Sequence, residues 1–168
     1  MKALVAYFSQ TGNTKKIAEA IYGELPEEKE IKALEDLEDL EGYDAIFYGF
    51  PIQAMGPAKD AGDFLVANAN GKKMVLFITH GAPEEAERLG PWLDNCREMV
   101  SGAGGELLGL FDCQGEVAQA IIDFLLGHEN PEIRQYGKEA SEPEAKGLPD
   151  EARLERAREF AREVIKKI

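Results

Sequence analysis

Six consecutive residues near the start of the chain, Ser9-Gln10-Thr11-Gly12-Asn13-Thr14, set five hydroxyl or amide side chains around one glycine. They follow an apolar run, Ala3 to Phe8, and precede a pattern of helical spacing that begins near Lys15. A strand that empties into such a loop, with a helix opening directly behind it, makes an anion site. The first N–H groups of the helix lack intrahelical partners, the helix dipole is positive there, and a glycine lets the backbone approach closely. Ser9, Thr11 and Thr14 offer hydroxyl hydrogens, and Asn13 offers an amide donor. No lysine or arginine lies inside the loop, so a phosphate bound here is held by neutral dipoles. The same composition also suits an ordinary polar turn, with Asn13 or Thr14 capping the helix. Neither G-x-x-x-x-G-K-[ST] nor G-x-G-x-x-G follows this strand.

The elements that must position the loop follow from hydrophobic spacing. Ile17, Ala20, Ile21 and Leu25 recur at helical intervals and Pro26 stops them. Glu30 to Leu34 reads as a short edge strand guarded by charge, and Leu34 to Leu40 as a brief helical turn. Ala45 to Phe50 is a continuous apolar run, which suits a central strand buried on both faces. Pro51 to Gly56 follows as a loop, and Ala58 to Ala67 as a helix. Met74 to Ile78 is a fourth strand, followed by the loop Thr79-His80-Gly81-Ala82-Pro83. Glu84 to Val100 is helical with a break expected at Gly90-Pro91, and Glu106 to Phe111 makes a fifth strand. Strands alternating with helices imply a parallel sheet covered on both faces, an α/β chain. Ligands of such folds bind outside the carboxyl ends of the strands, where the loops after strands one, three and four meet.

The last third departs from simple alternation. Val117 to Leu126 reads as an extra helix with a wide apolar face, and Gly127 to Asp150 as an irregular excursion rich in Pro, Gly and charge. Glu151 to Ile168 closes the chain as a helix capped by Asp150, with Leu154, Ala157, Ala161, Val164 and Ile168 on one face. No repeat and no shift of composition marks a second domain, so residues 1–168 are expected to form one.

With 168 residues, 44% of them apolar and 30% charged, the chain has the makings of a packed core. A formal net charge of −13 argues against nucleic acid or an anionic membrane and suits a basic protein partner. The apolar start is too short for a secretion signal and no run approaches the roughly 18 residues that span a bilayer, so a cytoplasmic location is expected. Cys96 and Cys113 fit neither a C-x-x-C pair nor a zinc pattern and are expected as free, idle thiols.

The order S-x-T-G-N-T after a first strand that starts almost at the N-terminus resembles the phosphate loop of the flavodoxin family. The resemblance covers roughly residues 1 to 111 and the final helix. It implies a doubly wound five-stranded sheet in the order 2-1-3-4-5 and FMN as cofactor, with Ser9 through Thr14 around its phosphate. Gly49 to Pro57 resembles the first loop that flanks the flavin ring, which brings in Pro51, Ile52, Gln53, Ala54, Met55 and Gly56. Thr79, His80, Gly81 and Ala82 occupy the second, whose backbone groups would meet the pyrimidine edge. Gly56 stands where the family has a peptide that flips toward the reduced ring, free to take an unusual φ, and Pro57 behind it has no N–H. The two loops offer Ile52, Met55, His80 and Ala82 rather than the aromatic pair that sandwiches the ring in many flavodoxins. Trp92 is a distant source of stacking, with core burial as the other expectation. About 35 residues stand where a short flavodoxin passes almost directly to its last helix.

The resemblance implies an electron carrier between redox proteins, one of them with a basic docking face. An FMN-dependent NAD(P)H- or quinone-type oxidoreductase is the enzymatic alternative, with residues 116–150 shaping a pocket. A receiver-type regulatory domain of the same fold needs an acidic cluster after strand one and an Asp after strand three. Ser9-Gln10 and Pro51-Ile52 stand there instead. His80 is open to two readings, an acid beside the flavin or a loop histidine bonded to backbone. A Cys113–His80 hydrolytic dyad is possible in principle and would leave the phosphate loop without a role.

Overall fold

The computed structural model describes all residues from Met1 to Ile168. Its elements in chain order are β1 (Ala3–Tyr7), α1 (Asn13–Glu24), β2 (Lys29–Ala33), β3 (Ala45–Gln53), β4 (Gly56–Pro57), α2 (Lys59–Asn68), β5 (Lys73–His80), α3 (Leu89–Gly102), β6 (Glu106–Gln114), α4 (Gln119–Leu126), α5 (Pro131–Ser141) and α6 (Glu151–Ile165). Five strands run parallel in the order β2-β1-β3-β5-β6, which is the expected order once β4 is set aside. That two-residue strand turns back antiparallel on the end of β3, pairing Ile52 with Pro57 and Gln53 with Gly56. No helix is long and apolar enough to cross a membrane.

The sheet separates two apolar layers. On one face Ile46, Tyr48, Phe50, Leu76 and Ile78 pack with Ala61 and Leu65 of α2 and Leu93, Cys96 and Val100 of α3. On the other, Val5, Phe47, Val75 and Phe77 meet Ile17 and Ile21 of α1 and Ala157, Ala161 and Val164 of α6. Residues adjacent in a strand thus fall in opposite layers, as the two-residue period of a strand requires. Gly49 has a specific reason. It lies directly opposite Phe77 in the β3–β5 register, and a Cβ there would sit 1.8 Å from the Phe77 ring.

Several boundaries differ from the sequence reading. β3 runs on to Gln53 and β5 to His80, so Pro51–Gln53 and Thr79–His80 are strand residues rather than loop. Gly90-Pro91 does not break a helix. α3 begins at Leu89, and residues 84–88 are turns. A proline is tolerated in the first turn because the N–H it lacks has no partner there.

The excursion is more ordered than its composition suggests. α5 begins with Pro131 in its first turn, and the Asn130 side chain caps it by accepting from Glu132 N at 2.9 Å. Gly137 belongs to the seam between α4 and α5, where a Cβ would come 3.0 Å from Leu125 Cβ and Leu126 Cγ. The glycine that reads as a helix breaker is what lets two helices close on each other. Asp150 caps α6 as expected, its Oδ1 accepting from Arg153 N at 3.1 Å.

Candidate functional site

At the carboxyl end of the sheet, β1 leads through residues 8–12 into α1. Phe8 N donates to Gly49 O at 2.9 Å, which ties the start of this loop to β3. Gly12 is the N-cap residue of α1, with φ of 92° and no side-chain cap. A Cβ built there meets nothing within 4 Å, so the mouth of the loop is open at this point. Ser9 Oγ accepts from Gly12 N at 3.1 Å and Lys15 N at 3.3 Å, closing the loop on itself. The Asn13 and Thr14 N–H groups belong to the first helical turn, which has no intrahelical acceptors to give them.

The six residues from Ser9 to Thr14 divide between the loop and its supports. Gln10 and Thr11 are exposed, and Ser9, Gly12 and Asn13 half-buried. Thr14 is buried, its Oγ1 2.8 Å from Thr79 Oγ1, so this hydroxyl pair joins α1 to β5 beneath the loop. Asn13 Nδ2 donates to Glu116 O at 2.9 Å, and a Cβ on Gly115 would lie 2.5 Å from the same nitrogen. The side of the loop expected to donate through Asn13 is thus braced by the segment after β6.

The hairpin after β3 forms the second wall. Gln53 Nε2 donates to Gln10 Oε1 at 2.5 Å, which draws hairpin and loop together. Ala54 and Met55 form the two-residue turn with φ of 48° and 68°. Two positive angles in succession match the twist of the flanking strands, but neither residue is a glycine. The unusual φ expected at Gly56 therefore falls one and two residues earlier. Met55 projects from the tip with 60% of its surface exposed. Backbone strain of this kind concentrates at functional sites.

Opposite stands the end of β5. His80 is buried, with Nδ1 2.9 Å from Ala82 O and Nε2 2.9 Å from Asp112 Oδ2. His80 thus holds the turn of its own loop instead of facing outward. Gly81 O accepts from Gln114 Nε2 at 3.4 Å and Ala82 O is taken by His80, which leaves the loop's N–H groups as its freer contribution to a ligand. Val117 packs so close over Gly81 that a Cβ there would lie 2.4 Å from Cγ2. Trp92 stands apart, edge-on to Tyr136 with ring centroids 6.3 Å apart.

The thiols carry no chemistry here. Cys113 pairs in register with Thr79, while His80 pairs with Gln114, so thiol and imidazole point to opposite faces of the sheet. Both cysteines are buried and free. Burial pushes the Cys96 thiol up to about 11 and, with Glu84 nearby, the Cys113 thiol up to about 12. A hydrolytic dyad is ruled out by geometry.

Comparison with known proteins decides the family. The model of the flavodoxin domain matches residues 4–162. The chain belongs to the flavodoxin family. A relative, the flavodoxin-like domain-containing protein BilS of Clostridioides difficile, is 35% identical over 98% of this chain and 97% of its own. Oxidised flavodoxin 2 of Bacillus cereus superposes over the full length of both chains with a TM-score of 0.66 at 23% identity. A Lactobacillus acidophilus flavoprotein solved in complex with FMN covers 73% of this chain and 97% of its own, with a TM-score of 0.52 at 20% identity.

This flavodoxin also uses residues that its sequence does not advertise. Glu84, in the turns after the segment Thr79 to Ala82, accepts from Gln114 N at 3.3 Å, Arg153 Nε at 2.8 Å and both terminal nitrogens of Arg156 at 2.9 and 3.0 Å. Burial raises the Glu84 carboxyl, but the hydrogen bonds from Arg156 and Gln114 and the charge of Arg153 outweigh it, leaving the group below its ordinary value. The loop is thereby fastened to the end of β6 and the start of α6. The Arg88 guanidinium pairs with Glu139 and lies over the Tyr136 ring at 4.2 Å, fastening α5 to the start of α3. These partners are separated by 30 to 72 residues, and no local pattern announces them.

Proposed function

We propose that this flavodoxin binds FMN at the carboxyl end of its sheet and carries electrons between redox proteins. Ser9 to Thr14 would take the phosphate, chiefly through Thr11 and the N–H groups at the start of α1. Pro51 to Gly56 and Thr79 to Ala82 would flank the ring. The observation that carries the reading is the open, positive-φ Gly12 cap, linked through Gln10 and Gln53 to a strained hairpin on the far side of the mouth. The donor set fits a phosphate ester, since it offers N–H and O–H groups without a cation and uses the helix dipole for charge.

When bound, FMN supplies reversible electron transfer that no side chain of the chain offers. The protein's share is to orient and cover. Ile52 and Met55 would lie against the ring without aromatic stacking, and the loop at Gly81 would present N–H groups to its polar edge. His80 and Glu84 hold that loop from behind. The acidic surface favours encounter with a basic reductase or acceptor.

The test is a visible spectrum of the purified protein before and after FMN is added and the excess removed. A retained, protein-perturbed flavin band that NADH and NADPH reduce only through a partner reductase supports the carrier. Rapid reduction by either nucleotide alone would assign the chain to the NAD(P)H- or quinone-type oxidoreductases instead. No retained flavin at any loading would end both.

A further inference from the structure

We infer that Glu116 is a positioning residue of the FMN site, which aims the Asn13 amide at the phosphate and so sets the preference for FMN over a flavin without one. Glu116 lies outside the three stretches that the sequence marks for the cofactor, just past the end of β6 at Gln114. All of its polar atoms are engaged. Its N–H donates to Leu148 O at 2.9 Å, and its carbonyl accepts from Asn13 Nδ2 at 2.9 Å. Oε2 accepts from Gly147 N at 2.7 Å, and Oε1 lies 3.8 Å from Lys146 Nζ. One residue thus joins the start of α1 to residues 146–148, shortly before Asp150 caps α6.

Its neighbours hold the same strap. Gly115 N donates to His80 O at 2.8 Å, and Val117 covers Gly81. Residues 115–117 therefore touch both the loop proposed to take the phosphate and the one proposed to meet the ring.

The consequence for Asn13 follows from the chemistry of an amide. A carbonyl only accepts, so Glu116 O draws the NH2 end of the Asn13 side chain toward it and not the oxygen. That contact takes one of the two hydrogens on Nδ2 and leaves the second for an anion. With Glu116 O out of place the amide is free to turn its oxygen toward the phosphate, and an attraction becomes a repulsion. The carboxylate acts at one remove. Its bond from Gly147 N and its pairing with Lys146 hold the peptide that holds Asn13, and Lys146 offsets the charge that Glu116 brings to this side of the site.

The inference rests on the FMN reading, and the parent chain tests that reading by itself. A parent that binds neither flavin, or both equally, overturns the two together. Flavin-free protein is titrated with FMN and with riboflavin, read by quenching of flavin fluorescence. In a parent that prefers FMN, Glu116→Ala should bind FMN about tenfold more weakly, the loss of one well-placed donor, and bind riboflavin as before. Unchanged riboflavin binding shows at the same time that the variant is folded. Glu116→Gln, whose side-chain oxygen still accepts from Gly147 N, should restore the preference. Adding Glu116→Ala to Asn13→Ala should weaken FMN no further, because Glu116 acts through that amide. In flavin-free Glu116→Ala the Asn13 side-chain NH2 signals should shift in the NMR spectrum. Equal losses for the two flavins, an undiminished preference in Glu116→Ala, a Gln variant no better than the Ala variant, a full further loss in the double variant, or stationary Asn13 signals would each overturn the assignment.

Discussion

Gly49 and Gly115 are both crowded, yet substitutions at them should differ in cost. At Gly115 the obstacle is the end of the Asn13 side chain, which can turn away at the loss of one hydrogen bond to Glu116 O. Gly115→Ala should lower stability by about 1 kcal/mol, the net worth of such a bond, and loosen the brace on the loop from Ser9 to Thr14. At Gly49 the obstacle is the Phe77 ring in a closed layer between α1 and α6. Gly49→Ala should cost about 3 kcal/mol, the upper part of the range for overpacking a core. Urea denaturation of the two variants checks the ratio. The residue scale also shows what a sequence conceals. The loop from Ser9 to Thr14 is legible because its chemistry lies in consecutive residues, whereas Glu84 with Arg153 and Arg156 is a site only after the chain has folded.

Among the elements, the β3–β4 hairpin and the α4–α5 pair carry the tests. Ala54 and Met55 hold left-handed angles that cost an L-residue roughly 1–2 kcal/mol each. Met55→Gly should therefore stabilise the fold by about 1 kcal/mol. If the strain at the tip serves FMN, that gain comes with weaker retention of the cofactor, and thermal melting beside a flavin titration reads both. Arg88→Ala removes the pair with Glu139 and should cost about 2 kcal/mol, the worth of hydrogen bonds to a charged group. Hydrogen exchange should then quicken first in α5, before the sheet.

The alternation of strands and helices is legible because buried parallel strands are continuous apolar runs and the helices repeat at their own period. The excursion is less legible for a physical reason. Pro131 and Gly137 are composition cues for irregular chain, yet one sits at a helix start and the other at a helix crossing. The Asn130-Pro131 pair was the local signal for α5, and Gly137 has its meaning only against Leu125 and Leu126. Likewise Gly90-Pro91 signals a helix end or start equally well, and only the turns at 84–88 choose between them.

For the molecule as a whole, acid stability reports the fastening of α6 to the turns after β5. The folded Glu84 carboxyl lies below the ordinary glutamate value of 4.5, so its contribution is fully present above that value. It is lost as the pH falls through the lower folded value. Glu84→Gln should therefore be less stable than the parent at neutral pH, with the gap narrowing below pH 4.5. Chemical denaturation at stepped pH checks the sign.

The central claim is that a phosphate ester sits on the Gly12 cap while a flavin ring lies between the hairpin and the Gly81 loop. Titrating flavin-free protein with FMN and with riboflavin, read by quenching of flavin fluorescence, tests it most directly, because the two ligands differ only in the phosphate. The account predicts one FMN per chain and riboflavin weaker by on the order of a hundredfold, about 3 kcal/mol for the lost phosphate contacts. Equal affinity for the two flavins, or no binding of either, would contradict it.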